Sequence, residues 1–153
     1  MSSMKWITRE RAKVDRIACP WLIKKFVDHT AEFFFAPAGE VMAKSKELGA
    51  TPFDVEGAEL MHFKMKNEER VSFDAIIEKY KISDPAALEL AKIVRGADAK
   101  ITNPPAESAG LIAAAAGFRE IANDDFDNLR LQFPLYDALY AFCQLKVKKR
   151  QMQ

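Results

Sequence analysis

The sequence predicts an α/β or α+β domain, with a small sheet of short strands in the N-terminal half packed with helices, and a helical C-terminal half. Three observations carry this expectation. Short β-rich runs near residues 5–9, 31–37 and 51–55 alternate with segments of helical periodicity. Beyond residue 72 the apolar spacing is helical. A chain of 153 residues with 49% hydrophobic and 29% charged side chains makes one domain, 1–153, large enough for a buried core.

KWITR (5–9) is rich in β-formers and reads as a strand. In 17–28, Ile17, Trp21, Leu22, Phe26 and Val27 recur at helical spacing, with Lys24, Lys25 and Asp28 outside. AEFFFAP (31–37) is a compact apolar run closed by proline, the pattern of a buried strand. GEVMAKSKEL (39–48) reads as a helix stopped by Gly49, and TPFDV (51–55) as a third strand running into the loop EGAEL. MHFKMKNEERV (61–71) suggests a hairpin or long loop with a polar NEE tip.

SFDAIIEKY (72–80) begins with an N-cap serine. The next helix starts on Ser83 or Asp84, Pro85 fitting its first turn after Asp84, and stops at Gly96. After TNPP (102–105) come an alanine-rich helix (106–117) and a helix from about 125 to 148, which Pro134 should kink or divide.

Basic and acidic residues nearly cancel, 23 against 22, which argues against a nucleic-acid-binding domain. KVKKR (146–150) reads as a solvated helix end. Two distant cysteines, Cys19 and Cys143, make neither a disulfide framework nor a zinc spacing. There is no secretory h-region and no apolar run of about 18 residues. The expected setting is cytoplasmic and reduced, without a membrane partner, and self-association into a homo-oligomer stays open. Phosphate-binding glycine loops and a GxSxG elbow are absent.

Within VDRIACPWLIKKF (14–26), Asp15 is a candidate N-cap and Arg16 a candidate anion contact. Cys19 would occupy the first helical turn, where free amides and the helix dipole favour a thiolate, but no histidine stands nearby as base. DVEGAELMH (54–62) is the richest polar stretch, with Asp54, Glu56, Glu59 and His62 around a glycine. One helical turn would place Glu59 and His62 on one face, a carboxylate–imidazole mixture that suits zinc, iron or manganese, or acid–base work. With two histidines in the chain, His29 and His62, a three-histidine site is excluded within one chain. In VRGAD (94–98), Arg95 and Asp98 either pair or line a shared cleft. Asp137, amid the apolar LYDALYAFC, wants a partner such as Arg16, Arg95 or His62.

Taken together, KWITRERAKVDRIACPWLIKKF, PFDVEGAEL with its following histidine, SFDAII, LAKIVRGAD and LYDALYAFC resemble the C-terminal domain of ChrB-type chromate resistance proteins over nearly the whole chain. The resemblance implies a bacterial chromate-resistance determinant. Larger members carry an additional DNA-binding-type region and are described as chromate-responsive regulators; this chain lacks that region, which weakens a regulator reading. Three departures stand out: Val71 where the family often has cysteine, Phe126 where it tends to have histidine, and a longer, more charged loop after His62. The matched positions are Asp15, Arg16, Cys19, Glu59, His62, Arg95, Asp98 and Asp137.

These residues support two functional readings, with a plain scaffold as the third. The first is a domain binding an oxyanion or a metal ion, in which Arg16 and Arg95 meet an anion such as chromate beside Asp15, Cys19 and Asp137. The second is a metal-assisted enzyme, with Glu59, His62 and Asp98 as ligands or supports. An enzyme requires His62, Glu59 and Asp98 to converge; an anion sensor requires arginines and amides there instead.

Overall fold

The computed structural model describes residues 4–153. In chain order they form β1 (Lys5–Arg9), α1 (Asp15–Phe26), β2 (Glu32–Ala36), a 3-10 turn (Ala38–Glu40), α2 (Val41–Leu48) and β3 (Thr51–Pro52). A hairpin of β4 (Phe63–Met65) and β5 (Glu68–Arg70) follows, then α3 (Ser72–Tyr80), α4 (Pro85–Asp98), α5 (Ala106–Ile121) and α6 (Asp125–Gln151). The mixed α/β class and the helical second half are as the sequence predicts.

The main sheet is parallel, in the order β2-β1-β3, with Ile7 opposite both Phe34 and Pro52. Parallel neighbours need crossover connections, and α1 and α2 supply them. Right-handed crossovers running in opposite directions along the sheet put their helices on opposite faces. The core divides accordingly. Trp6, Phe33 and Phe53 pack with Ile17, Ala18, Trp21 and Leu22 of α1, whereas Ile7 and Ala36 pack with Val41 and Ala50 around α2. Covered on both faces, Trp6, Ile7 and Thr8 are fully buried. The helices α3 and α6 pack on α1, and α4 sits among α3, α5 and α6.

Local chemistry sets most boundaries. Gly49, at φ +66°, ends α2 in the left-handed conformation that costs glycine little. Asp84 caps α4 by accepting from the Ala87 amide at 2.9 Å, with Pro85 at the first position. The 61–71 segment is a hairpin, but its tip is Lys66–Asn67, both at positive φ, rather than Asn67–Glu69.

Four expectations need correction. Helix α1 begins at Asp15, so Asp15 is its first residue rather than its cap, and Cys19 lies beyond the first turn. Ser72 is the first residue of α3, and Val71 takes the cap position. Helix α4 continues through Gly96 to Asp98, because the glycine serves close packing: an added Cβ would collide with Ser108 Oγ and lie 3.0 Å from Pro104 Cβ. Helix α6 is not divided at Pro134 but runs on as one element. Its basic end is exposed at Lys148, Lys149 and Arg150, as expected, and Arg150 also forks Glu89 of α4 at 2.6 and 2.8 Å.

A Gly96→Val substitution should therefore force α4 away from the chain entering α5 and destabilise the fold by about 1–3 kcal/mol. Urea denaturation measures this, and an unchanged midpoint would contradict the close-approach role.

Candidate metal centre

In a parallel sheet, side chains gather where neighbouring strands send their connections to opposite faces, beyond the carboxyl ends of the strands. Here the carboxyl ends concerned are those of β1 and β3, which are neighbours in the sheet. The chain leaving β1 turns into α1 and presents Asp15 and Arg16. The chain leaving β3 presents Asp54, held at φ +49°, and then His62. Asp98, the last residue of α4, closes the group from the helical layer.

These side chains meet at one atom. His62 Nε2 lies 3.0 Å from Asp98 Oδ2, 3.4 Å from Asp54 Oδ1 and 3.5 Å from Asp15 Oδ2. Asp15 and Asp54 are buried, 2% and 5% exposed, while the His62 side chain is 40% exposed and stands at the mouth. Asp15 accepts from the backbone amides of Ser72 at 2.8 Å and Phe73 at 3.1 Å, the first two residues of α3. Those amides have no partner within their own helix, so a carboxylate from another element completes them. Asp54 accepts from Ser72 Oγ at 3.0 Å and lies near two guanidiniums, Arg9 at 3.3 Å and Arg16 at 3.5 Å.

The proton affinities reflect this crowding. Burial pushes the Asp15 carboxyl up to about 7, and burial followed by the Asp98 charge raises Asp54. Hydrogen bonds to Asp15 and Asp98 push the His62 imidazole up to about 10, against the opposing effect of burial. Burial, followed by the charge of Arg9, lowers Arg16. Three carboxylates face two guanidiniums and one imidazole, so the set balances when His62 is protonated. The positive charge on His62 completes that balance at the point where the three carboxylates meet. Asp15, Asp54 and His62 each offer a ligand atom, all within 4.8 Å of one another, and Asp98 stands alongside.

Of the residues singled out in the sequence, Asp15, Arg16, His62 and Asp98 come together. Glu59 does not: its exposed side chain pairs with Lys79 at 3.2 Å, because residues 59–62 form no helical turn. Arg95 is drawn away by Asp74, whose carboxylate it grips at 2.8 and 3.0 Å, so it pairs with neither Asp98 nor an anion beside Arg16. Asp137 accepts from Trp21 Nε1 at 2.9 Å rather than from an arginine or His62. Cys19 borders the cluster but is fully buried and donates to Asp15 Oδ1 at 3.4 Å. Burial, then the Asp15 charge, push its pKa well up, so it remains a thiol and the expected thiolate does not form.

Sequence reasoning named Asp54 without placing it in a site, and missed Arg9 and Ser72. It also missed the clamp on the β1–α1 loop. Asp125 of α6 accepts from the amides of Arg11 at 2.9 Å and Ala12 at 2.7 Å. Asn128 donates to Ala12 O at 3.0 Å, and Tyr136 Oη to Val14 O at 3.3 Å. Gln132 Nε2, donating to Asn128 Oδ1 at 2.8 Å, completes the row. Residues 125, 128, 132 and 136 share one helical face, a polar stripe in an otherwise apolar contact that was legible as a pattern. Of the family departures, Val71 borders the cluster as the residue before Ser72, while Phe126 packs its ring edge-on against Phe35.

The proton held by His62 makes stability depend on pH. A protonated imidazole stabilises fully below its ordinary value near 6.5, and that contribution is lost as pH rises through about 10. Asp15, raised to about 7, loses stability in the same direction at lower pH. Thermal melts should show the advantage of wild type over His62→Gln shrinking from pH 6.5 upward. An advantage that grows with pH would contradict a protonated His62 among the carboxylates.

Among the described residues no helix is long and apolar enough to cross a membrane. The family model described as ChrB, C-terminal domain, matches residues 6–143. Protein ChrB of Cupriavidus metallidurans is 34% identical over 122 residues, covering 78% of this chain and 35% of the relative. The chain thus matches about a third of that protein's length. No solved structure matches it. With a family model over nearly its whole length, the chain belongs to the ChrB C-terminal domain family.

Proposed function

We propose that this domain binds a divalent metal ion between Asp15, Asp54, His62 and Asp98, and that it serves in bacterial chromate resistance. The observation that carries the metal reading is the convergence of three carboxylates on His62 Nε2, at 3.0–3.5 Å, with two of the carboxylates buried. Buried carboxylates repel one another unless a cation lies between them. Carboxylate oxygens with one imidazole suit zinc, iron or manganese. The chromate-resistance role rests on the family resemblance, and the metal reading does not depend on it.

The same geometry weakens direct oxyanion capture. Chromate at this position would face three carboxylates. The arginines expected to hold it have acidic neighbours of their own, Arg16 near Asp54 and Arg95 in a fork with Asp74. Metal-assisted catalysis is the second reading, favoured by the exposure of His62. Asp15, Asp54, His62 and Asp98 would hold the ion, and the exposure of His62 would let a substrate reach it, as catalytic sites require.

Metal analysis of protein purified without a histidine tag tests the proposal. The expected result is about one equivalent of zinc, iron or manganese per chain, lost in Asp54→Asn and in His62→Ala. Metal-free protein that fails to take up these ions, yet is protected against heat by chromate or sulfate, would reverse the order in favour of the anion.

A further inference from the structure

A second cavity, of about 450 Å³, lies between the β4–β5 hairpin and helices α3 and α4. Its size suits a small organic molecule. None of its lining residues belongs to the metal cluster, so a ligand bound here is independent of the metal reading. Met65, Ile77, Leu88 and Ala91 supply an apolar wall, and Arg70 and Arg95 supply guanidiniums.

The hydrogen bonds of these arginines are uneven. Asp74 takes Nε and Nη2 of Arg95, leaving Nη1 with Glu68 at 3.8 Å, beyond hydrogen-bond reach. Arg70 donates from Nη2 to Glu68 at 3.2 Å, while its buried Nε has no acceptor among the described residues. An unmet buried donor is costly, and one on a charged group more so. Glu68 thus bonds Arg70 Nη2 but leaves Arg70 Nε and Arg95 Nη1 without a hydrogen bond to its carboxylate. Its side chain is 45% exposed, beside the hairpin tip, so solvent screens its ion pairs.

We infer that this cavity binds a small organic monocarboxylate, whose carboxylate replaces that of Glu68 between Arg70 and Arg95. Its apolar body lies on Met65, Ile77, Leu88 and Ala91. A planar carboxylate can meet a guanidinium through two parallel bonds, using Nε and one Nη, and this would give Arg70 Nε its acceptor. Glu68 cannot supply an apolar body, and its own carboxylate competes for the position. The apolar wall distinguishes the preferred ligand from inorganic anions, which would gain nothing from it.

Ligand-observed NMR titration with 3-phenylpropionate tests this, with 3-phenylpropanol as the uncharged control and acetate as the control lacking an apolar body. Saturable binding of 3-phenylpropionate at millimolar concentration is expected, with both controls at least about tenfold weaker. Glu68→Gln should tighten binding severalfold by removing the competing charge, and its exposed position makes it safe for folding. Arg70→Met, which keeps the apolar stem, should weaken binding about tenfold. Absence of saturable binding, equal binding of acid and alcohol, or a Glu68→Gln variant that binds no better would each overturn the inference.

Discussion

The carboxylate of Asp15 joins parts of the molecule that are distant in sequence. It sits at the head of α1 yet completes the amides at the head of α3, 57 and 58 residues away. That contact fixes two helix starts against each other in a buried setting. It also brings Ser72 to Asp54 and leaves one Asp15 oxygen facing His62. Burial penalises the anion while two amides and an imidazole favour it, and the raised proton affinity of Asp15 records that contest. A residue read as a helix cap in its own helix is therefore a cap for another helix and a wall of the site.

Position and charge reinforce each other around this contact. The 2-1-3 strand order brings the ends of β1 and β3 side by side, and the loops leaving them carry acidic groups. Left alone, these would repel. Arg9 and Arg16 flank Asp54 from one side, and His62 and Asp98 approach from the other. The row Asp125, Asn128, Gln132 and Tyr136 holds the β1–α1 loop by its backbone groups and by one another, so Asp15 is placed by α6 as well as by its own helix. Buried polar groups with partners rigidify a site.

Cys19 changes meaning in this setting. Its closeness to Asp15 resembles a catalytic arrangement, but the neighbouring charge is negative and the surroundings are apolar. Both effects oppose a thiolate. The cysteine contributes packing and one weak hydrogen bond. Arg95 follows the same logic with the opposite outcome: absorbed by Asp74, it leaves the cluster and becomes part of a different cavity.

By itself the sequence determined the class of fold, most helix and strand positions, and Asp15, Arg16, His62 and Asp98 as residues to watch. These come from local rules: apolar periodicity, the residues that stop helices, and polar groups clustered near turns. Tertiary structure decided which of these side chains meet. It exchanged Glu59 for Asp54, because the loop before His62 is not helical, and sent Arg95 to Asp74 and Asp137 to Trp21. It also let Gly96 stand inside α4, where local propensity would end the helix, because the chain entering α5 packs against that turn. The physical reason is the same throughout: strand order and helix-to-helix capping join residues far apart in the chain, and local propensity carries no information about such pairings.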